Sequence, residues 1–117
     1  MKYKYPRTMH LPWSPGLQND DRLIECLDGF VGKRVIVTEK LDGENTSMYY
    51  DAIHARSIDG RHHPSRDWVK GFHGSIRHNI QKEHERICGE NVYAEHSIHY
   101  DNIETYFYGF SLWRLIS

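Results

Sequence analysis

The sequence predicts an α+β domain built mainly from antiparallel strands with flanking helices. Three observations predict it. There is a β-branched run from Arg34 to Thr38, a pair of short strand candidates joined at Asp51 and Ala52, and a set of apolar residues at helical spacing from Trp68 to Ile80. Hairpin connections between mixed strands and helices are the order of an α+β chain.

The elements follow in turn. The stretch up to Gly16 is rich in Pro and aromatics, has no period, and reads as an extended arm packed on the domain. Asp20 and Asp21 are placed to cap a short helix carrying Leu23, Ile24 and Leu27. Gly29 and Gly32 then punctuate the chain before Arg34-Val-Ile-Val-Thr38, a strand by propensity. Thr46 to Tyr50 and Ile53 to Ser57 read as a hairpin. The polar, basic stretch from Arg61 to Arg66 reads as a loop, with Ser65 as the N-cap of the helix after it. In that helix Trp68, Val69, Phe72, Ile76 and Ile80 share a face, while Lys70, His73 and Arg77 fall mostly elsewhere. Two final strands are expected near Asn91 to His96 and Thr105 to Trp113. In the last, Tyr106, Tyr108, Phe110 and Leu112 would share one face, with Phe107 and Trp113 on the other. A strand apolar on both faces is normally central.

Composition narrows the class. The chain has 117 residues, with 15 basic against 16 acidic, so any nucleic-acid groove would be local rather than a property of the whole surface. Eight Tyr and three Trp favour an ordered domain over a disordered chain. Cys26 and Cys88 make no disulfide framework and suit a reducing compartment. No apolar run approaches the ~20 residues of a membrane span or forms a signal peptide, so a cytoplasmic, soluble protein is expected.

The most informative segment is Thr38-Glu-Lys-Leu-Asp-Gly-Glu-Asn45, a lysine followed at once by an Asp-Gly turn. A lysine is a nucleophile only when its amine is deprotonated, so its pKa must fall from about 10.4. Burial at a strand end or a nearby cation drives that fall; Asp42 and Glu44 oppose it unless they face a metal or a nucleotide. Gly43 permits close approach of backbone to a ligand. On these residues alone a hairpin turn is the competing reading.

Lys40-Leu-Asp-Gly-Glu-Asn45 resembles the first nucleotidyltransferase motif of the covalent ligases and capping enzymes, and with Asn45 at its end it is most similar to the ATP-dependent RNA ligases. Ala55-Arg-Ser57 resembles the next motif, Cys88-Gly-Glu-Asn-Val-Tyr93 the third, and Tyr106-Phe-Tyr-Gly-Phe-Ser-Leu-Trp113 the strand that carries an aromatic stacked on adenine. Tyr5-Pro-Arg-Thr8 with His10-Leu-Pro-Trp13 is similar to the leader of one bacterial and phage branch. The resemblance implies a partial nucleotidyltransferase catalytic domain of two packed antiparallel sheets with an ATP pocket between them. It implies that Lys40 attacks the α-phosphate of ATP, with Mg2+ at the phosphates, and that the AMP passes to an RNA 5′-phosphate before a 3′-hydroxyl displaces it. Glu39, Lys40, Arg56, Glu90 and Phe110 would hold the nucleotide: Arg56 at phosphate oxygens, Glu90 at the ribose, Phe110 on the base. Asn45 would serve the RNA end, and Arg61 and Arg66 its phosphates. Ser111 stands where the family often has an acid. The later motifs, a Glu-Gly strand and a Lys-x-Lys strand, would follow Trp113, so residues 1–117 are expected to form a single incomplete domain with impaired adenylylation, its missing region supplied elsewhere. A remnant that binds ATP or RNA without joining is the first alternative.

Nine histidines raise a second alternative, a metal-binding domain. Zinc sites show tight local pairs, and only His96-x-x-His99 has such spacing apart from the adjacent His62 and His63. No second half accompanies it, so no metal ligand is assigned.

Overall fold

The computed structural model describes residues 2–15, 22–58, 60, 62–94, 96 and 98–116. The chain divides into two compact units, one of Met1–Tyr5 with Lys40–Ser117 and one of Pro6–Glu39.

The smaller unit has little regular structure. His10 and Leu23 form a parallel bridge, in which the His10 N–H donates to the Arg22 carbonyl at 2.7 Å and the Ile24 N–H to the His10 carbonyl at 2.8 Å. The helix expected around Leu23 to Leu27 is absent, and its cap candidates Asp20 and Asp21 lie outside the described residues. Three apolar residues make barely one turn, too little to offset helix nucleation without packing. Nor does the Arg34–Thr38 strand form: Val35 is 53%, Ile36 90% and Val37 90% exposed, and no strand pairs with them among the described residues. β-propensity is a preference for a half-buried pleated surface beside a neighbour, and here there is no neighbour.

The larger unit holds a four-stranded antiparallel sheet. Its strands are β1 (Glu44–Met48), β2 (Ile53–Ala55), β3 (Glu85–Asn91) and β4 (Phe107–Arg114), in the order β2-β1-β3-β4. The hairpin between β1 and β2 is as expected, though its loop is longer, with the Tyr49 N–H donating to the Ala52 carbonyl at 2.7 Å. β3 sits earlier than the expected Asn91–His96 strand. β4 is an edge strand of this sheet, not a central one, and among the described residues a single sheet stands in place of the two expected.

One helix covers one face of the sheet. A 3-10 turn at Pro64–Arg66 leads into α1 (Asp67–Ile76). Ser65, expected to cap the helix, does not: Arg66 stands at the α1 N-cap without a side-chain cap hydrogen bond, while His63 caps the 3-10 turn, its Nδ1 accepting the Ser65 N–H at 3.1 Å ahead of Pro64 at the first position of that turn. The apolar stripe then packs as its spacing predicts: Met48, Val69, Ile80 and Phe107 form the core, with Trp68, Phe72, Ile76, Ile53 and Ile87 around them. His73, expected off this face, is buried, its Nε2 hydrogen-bonded to the Tyr49 carbonyl at 2.6 Å.

Residues paired across an antiparallel ladder share a face. The pairs Met48–Ile87 and Asn91–Phe107 belong to the helix side, while Asn45–Glu90–Tyr108, Ser47–Cys88 and Arg86–Trp113 belong to the other. The arm lies on that second face. The Tyr3 N–H donates to Tyr49 Oη at 2.8 Å, and the Tyr5 ring meets Phe110 and Trp113 edge-on at 5.7 and 6.1 Å.

Strict alternation fails along β4. Ser111 pairs with Cys88 and Gly109 with Gly89, leaving Phe110 without a partner on β3. This β-bulge puts Phe110 beside the same Tyr5 ring as Trp113, so the two do not lie on opposite faces as the sequence pattern suggests. Gly89 faces this irregular stretch because a Cβ there would strike the Tyr108 carbonyl oxygen and approach Phe107 Cζ to 2.5 Å.

Candidate functional site

The chain enters β1 through Leu41, Asp42 and Gly43, and this entry is tightly held. A Cβ on Gly43 would lie 2.5 Å from the Asn91 carbonyl oxygen and 2.9 Å from Val92 Cγ1, so only glycine lets the turn close on β3. Asp42 is fixed at both ends: its N–H donates to Tyr100 Oη at 2.7 Å, and its carboxylate accepts the Ile98 N–H at 3.0 Å.

Glu90 stands directly across from Asn45, and Tyr108 continues the row on β4. Burial pushes the Glu90 carboxyl above its ordinary range; the Gly43 N–H and the charges of Lys40 and His96 act against that, and Asp42 adds to it. Lys40, Asp42 and His96 therefore each lie close enough for Glu90 to feel their charge. Asn45 Oδ1 is buried and has no hydrogen-bond partner. An acceptor left so is costly unless a ligand donor or water meets it.

The remaining predicted residues are placed as follows. Lys40 itself is exposed, because the strand that was to bury it does not form. Glu39 is exposed as well. Arg56 is exposed, one position beyond the Thr46–Ala55 pair that ends the β1–β2 ladder. Phe110 is 52% exposed at the bulge. Arg61 lies outside the described residues.

Arg66 is engaged within the chain. Its Nε and Nη2 fork onto the two carboxylate oxygens of Glu44, each at 2.7 Å. That hydrogen-bonded pair raises the Arg66 pKa and neutralises one of the two acids expected to oppose a lysine nucleophile. A cleft of about 550 Å³ runs along Glu44, Arg66, Asn91 and His96.

Sequence reading missed three participants: His96 beside Glu90, Tyr100 clasping Asp42, and the partnership of Glu44 with Arg66. The only signal was the His96-x-x-His99 spacing, which was weighed for metal; His99 Nε2 instead lies 3.0 Å from Asp101. Among the described residues no three His, Cys, Asp or Glu side chains converge on one point.

A lysine, two carboxylates and an orphaned amide oxygen thus stand near one end of the sheet. Residues 33–116 match the RNA ligase family profile, and the chain belongs to that family. No curated protein and no solved structure matches it significantly. No helix among the described residues is long and apolar enough to cross a membrane.

Proposed function

We propose that this chain performs the nucleotidyl-transfer chemistry of an ATP-dependent RNA ligase, with Lys40 as the nucleophile. The observation that carries the reading is the grouping of Lys40, Asp42 and Glu90 around Gly43, inside a chain of the RNA ligase family.

The Lys40 amine attacks the α-phosphorus of ATP, the bond to the β-phosphate oxygen breaks, and pyrophosphate leaves. The AMP then passes to an RNA 5′-phosphate, and a 3′-hydroxyl displaces it to join the strands. Glu90 receives the ribose hydroxyls, a task suited to a half-buried acceptor held by the Gly43 N–H. Asn45, whose buried Oδ1 has no hydrogen-bond partner, serves the RNA end. Phe110 offers a ring for the base, and Arg56 a fork for phosphate oxygens. Glu39 serves the nucleotide beside Lys40, and Arg61 and Arg66 serve the phosphates of the RNA strand, Arg66 also bracing Glu44. Bound Mg2+ supplies charge neutralisation at the phosphates, and it commonly sits on the nucleotide with only one or two carboxylates.

A second reading, binding of ATP or RNA without joining, is favoured by the exposure of Lys40, whose amine stands at the surface rather than in a closed pocket. Incubation with α-labelled ATP and Mg2+, followed by a denaturing gel, decides between them. Label on the protein that is lost in Lys40→Ala supports the ligase reading. No label, while the protein still binds ATP or RNA, supports the second.

A further inference from the structure

The polar face of the sheet continues past Cys88 to a second charged centre. Arg86 is only 7% exposed. Its Nη1 donates to the Tyr3 carbonyl at 2.6 Å and makes longer contacts to Ser47 Oγ at 3.4 Å and Tyr49 Oη at 3.5 Å. Its guanidinium carbon stands 5.2 Å from the centroid of the Trp113 ring. Every one of these partners is neutral. Among the described residues no carboxylate pairs with Arg86, and its Nε and Nη2 donate no hydrogen bond.

A cavity of about 300 Å³ opens at this point, with Tyr3, Tyr49 and Trp113 as walls and Arg114, Glu85 and Glu83 among its lining. Glu85 is already paired with Arg114 at 3.0 Å. Glu83 is exposed and has no cation beside it among the described residues. A cation this far out of water is costly unless an opposite charge meets it. A guanidinium with two donor groups to spare suits the oxygens of a phosphate, and aromatic walls suit the face of a base.

We propose that this cavity is a second subsite, which takes one phosphate-bearing nucleotide of an RNA strand. Arg86 forks onto the phosphate, and Trp113 and Tyr3 flank the base. Arg86 and Glu90 are four positions apart on β3, about 13 Å at ~3.3 Å per residue. One strand could therefore run along the face with its joining end near Lys40. The assignment of RNA as ligand rests on the ligase reading.

The test is a fluorescence-anisotropy titration of the full chain with a labelled single-stranded RNA hexamer. ATP is omitted, so the outcome does not depend on whether Lys40 forms an adenylate. Arg86→Lys, which keeps the charge and loses the fork, is expected to weaken binding about tenfold with an unchanged circular-dichroism spectrum. Glu83→Gln is expected to tighten it several-fold by removing the uncompensated acid. If Arg86→Lys does not fold, Glu83→Gln and Trp113→Leu decide, the latter expected to weaken binding about tenfold. RNA binding unchanged in every variant that folds overturns the proposal and points to a carboxylate from a protein partner as the counter-charge of Arg86.

Discussion

On one face of the sheet, Met48, Ile87 and Phe107 lie under a helix and pack into the hydrophobic core with Val69 and Ile80. On the other, Ser47, Cys88, Arg86 and Glu90 carry hydroxyl, thiol, guanidinium and carboxyl groups, and only a short arm crosses them. The same four strands supply both faces, so the difference is a matter of alternate residues alone. The helix face gains free energy from burial. The polar face incurs the cost of burying groups that water would otherwise solvate, and it retains an orphaned oxygen at Asn45 and an uncompensated cation at Arg86. A face kept at such a cost is one on which a ligand has something to satisfy.

That contrast breaks most sharply in the core. Met48→Ala, which empties a fully buried site beside Val69 and Phe107, is expected to cost ~2–5 kcal/mol of folding stability in urea denaturation. Glu90→Gln is expected to act the other way round. It should weaken ATP binding about ten- to a hundredfold in isothermal titration, the equivalent of a lost charged hydrogen bond of ~1.5–3 kcal/mol. Its folding stability should hold, for a reason that fixes the sign. Burial raises the Glu90 carboxyl pKa, so the folded state binds the proton more tightly than the unfolded chain does. Stability therefore falls as pH climbs from the unfolded carboxylate value through the raised folded one. Glu90→Gln should melt at or above wild type at neutral pH, and that margin should vanish below the unfolded value.

Two smaller effects sharpen the picture. Arg66→Ala leaves Glu44 facing Asn91 without its partner, and a loss of ~1–2 kcal/mol is expected in thermal melts, since the pair is only partly exposed. Phe110→Ala should change stability by less than ~0.5 kcal/mol, because the ring is half in solvent and its residue is outside the ladder. If it weakens ATP binding all the same, the ring serves the base and not the fold.

Much of this was legible in the sequence where the signal is local. The spacing of Trp68, Val69, Phe72 and Ile76 specifies a helix and the side it buries. The lysine motif, read with the three segments after it, identifies the family. Pairing is what the sequence hides. Arg86, Cys88, Gly89 and Glu90 have little β-propensity, so β3 is visible only once β1 and β4 flank it. Conversely, Arg34 to Thr38 has every local mark of a strand and lacks a neighbour. The fork between Arg66 and Glu44 spans 22 positions, and nothing in either residue's surroundings announces the other. Alternation along β4 misassigns its faces because a bulge leaves no trace in a hydrophobic pattern.

That bulge also sets how freely one position can be rewritten. Every other residue of β4 answers to a partner across the ladder, and a change there must be accommodated by the neighbouring strand. Phe110 answers to none. Its side chain can be exchanged without renegotiating the sheet, so the site can vary the surface it shows to a ligand while the scaffold beneath keeps its register.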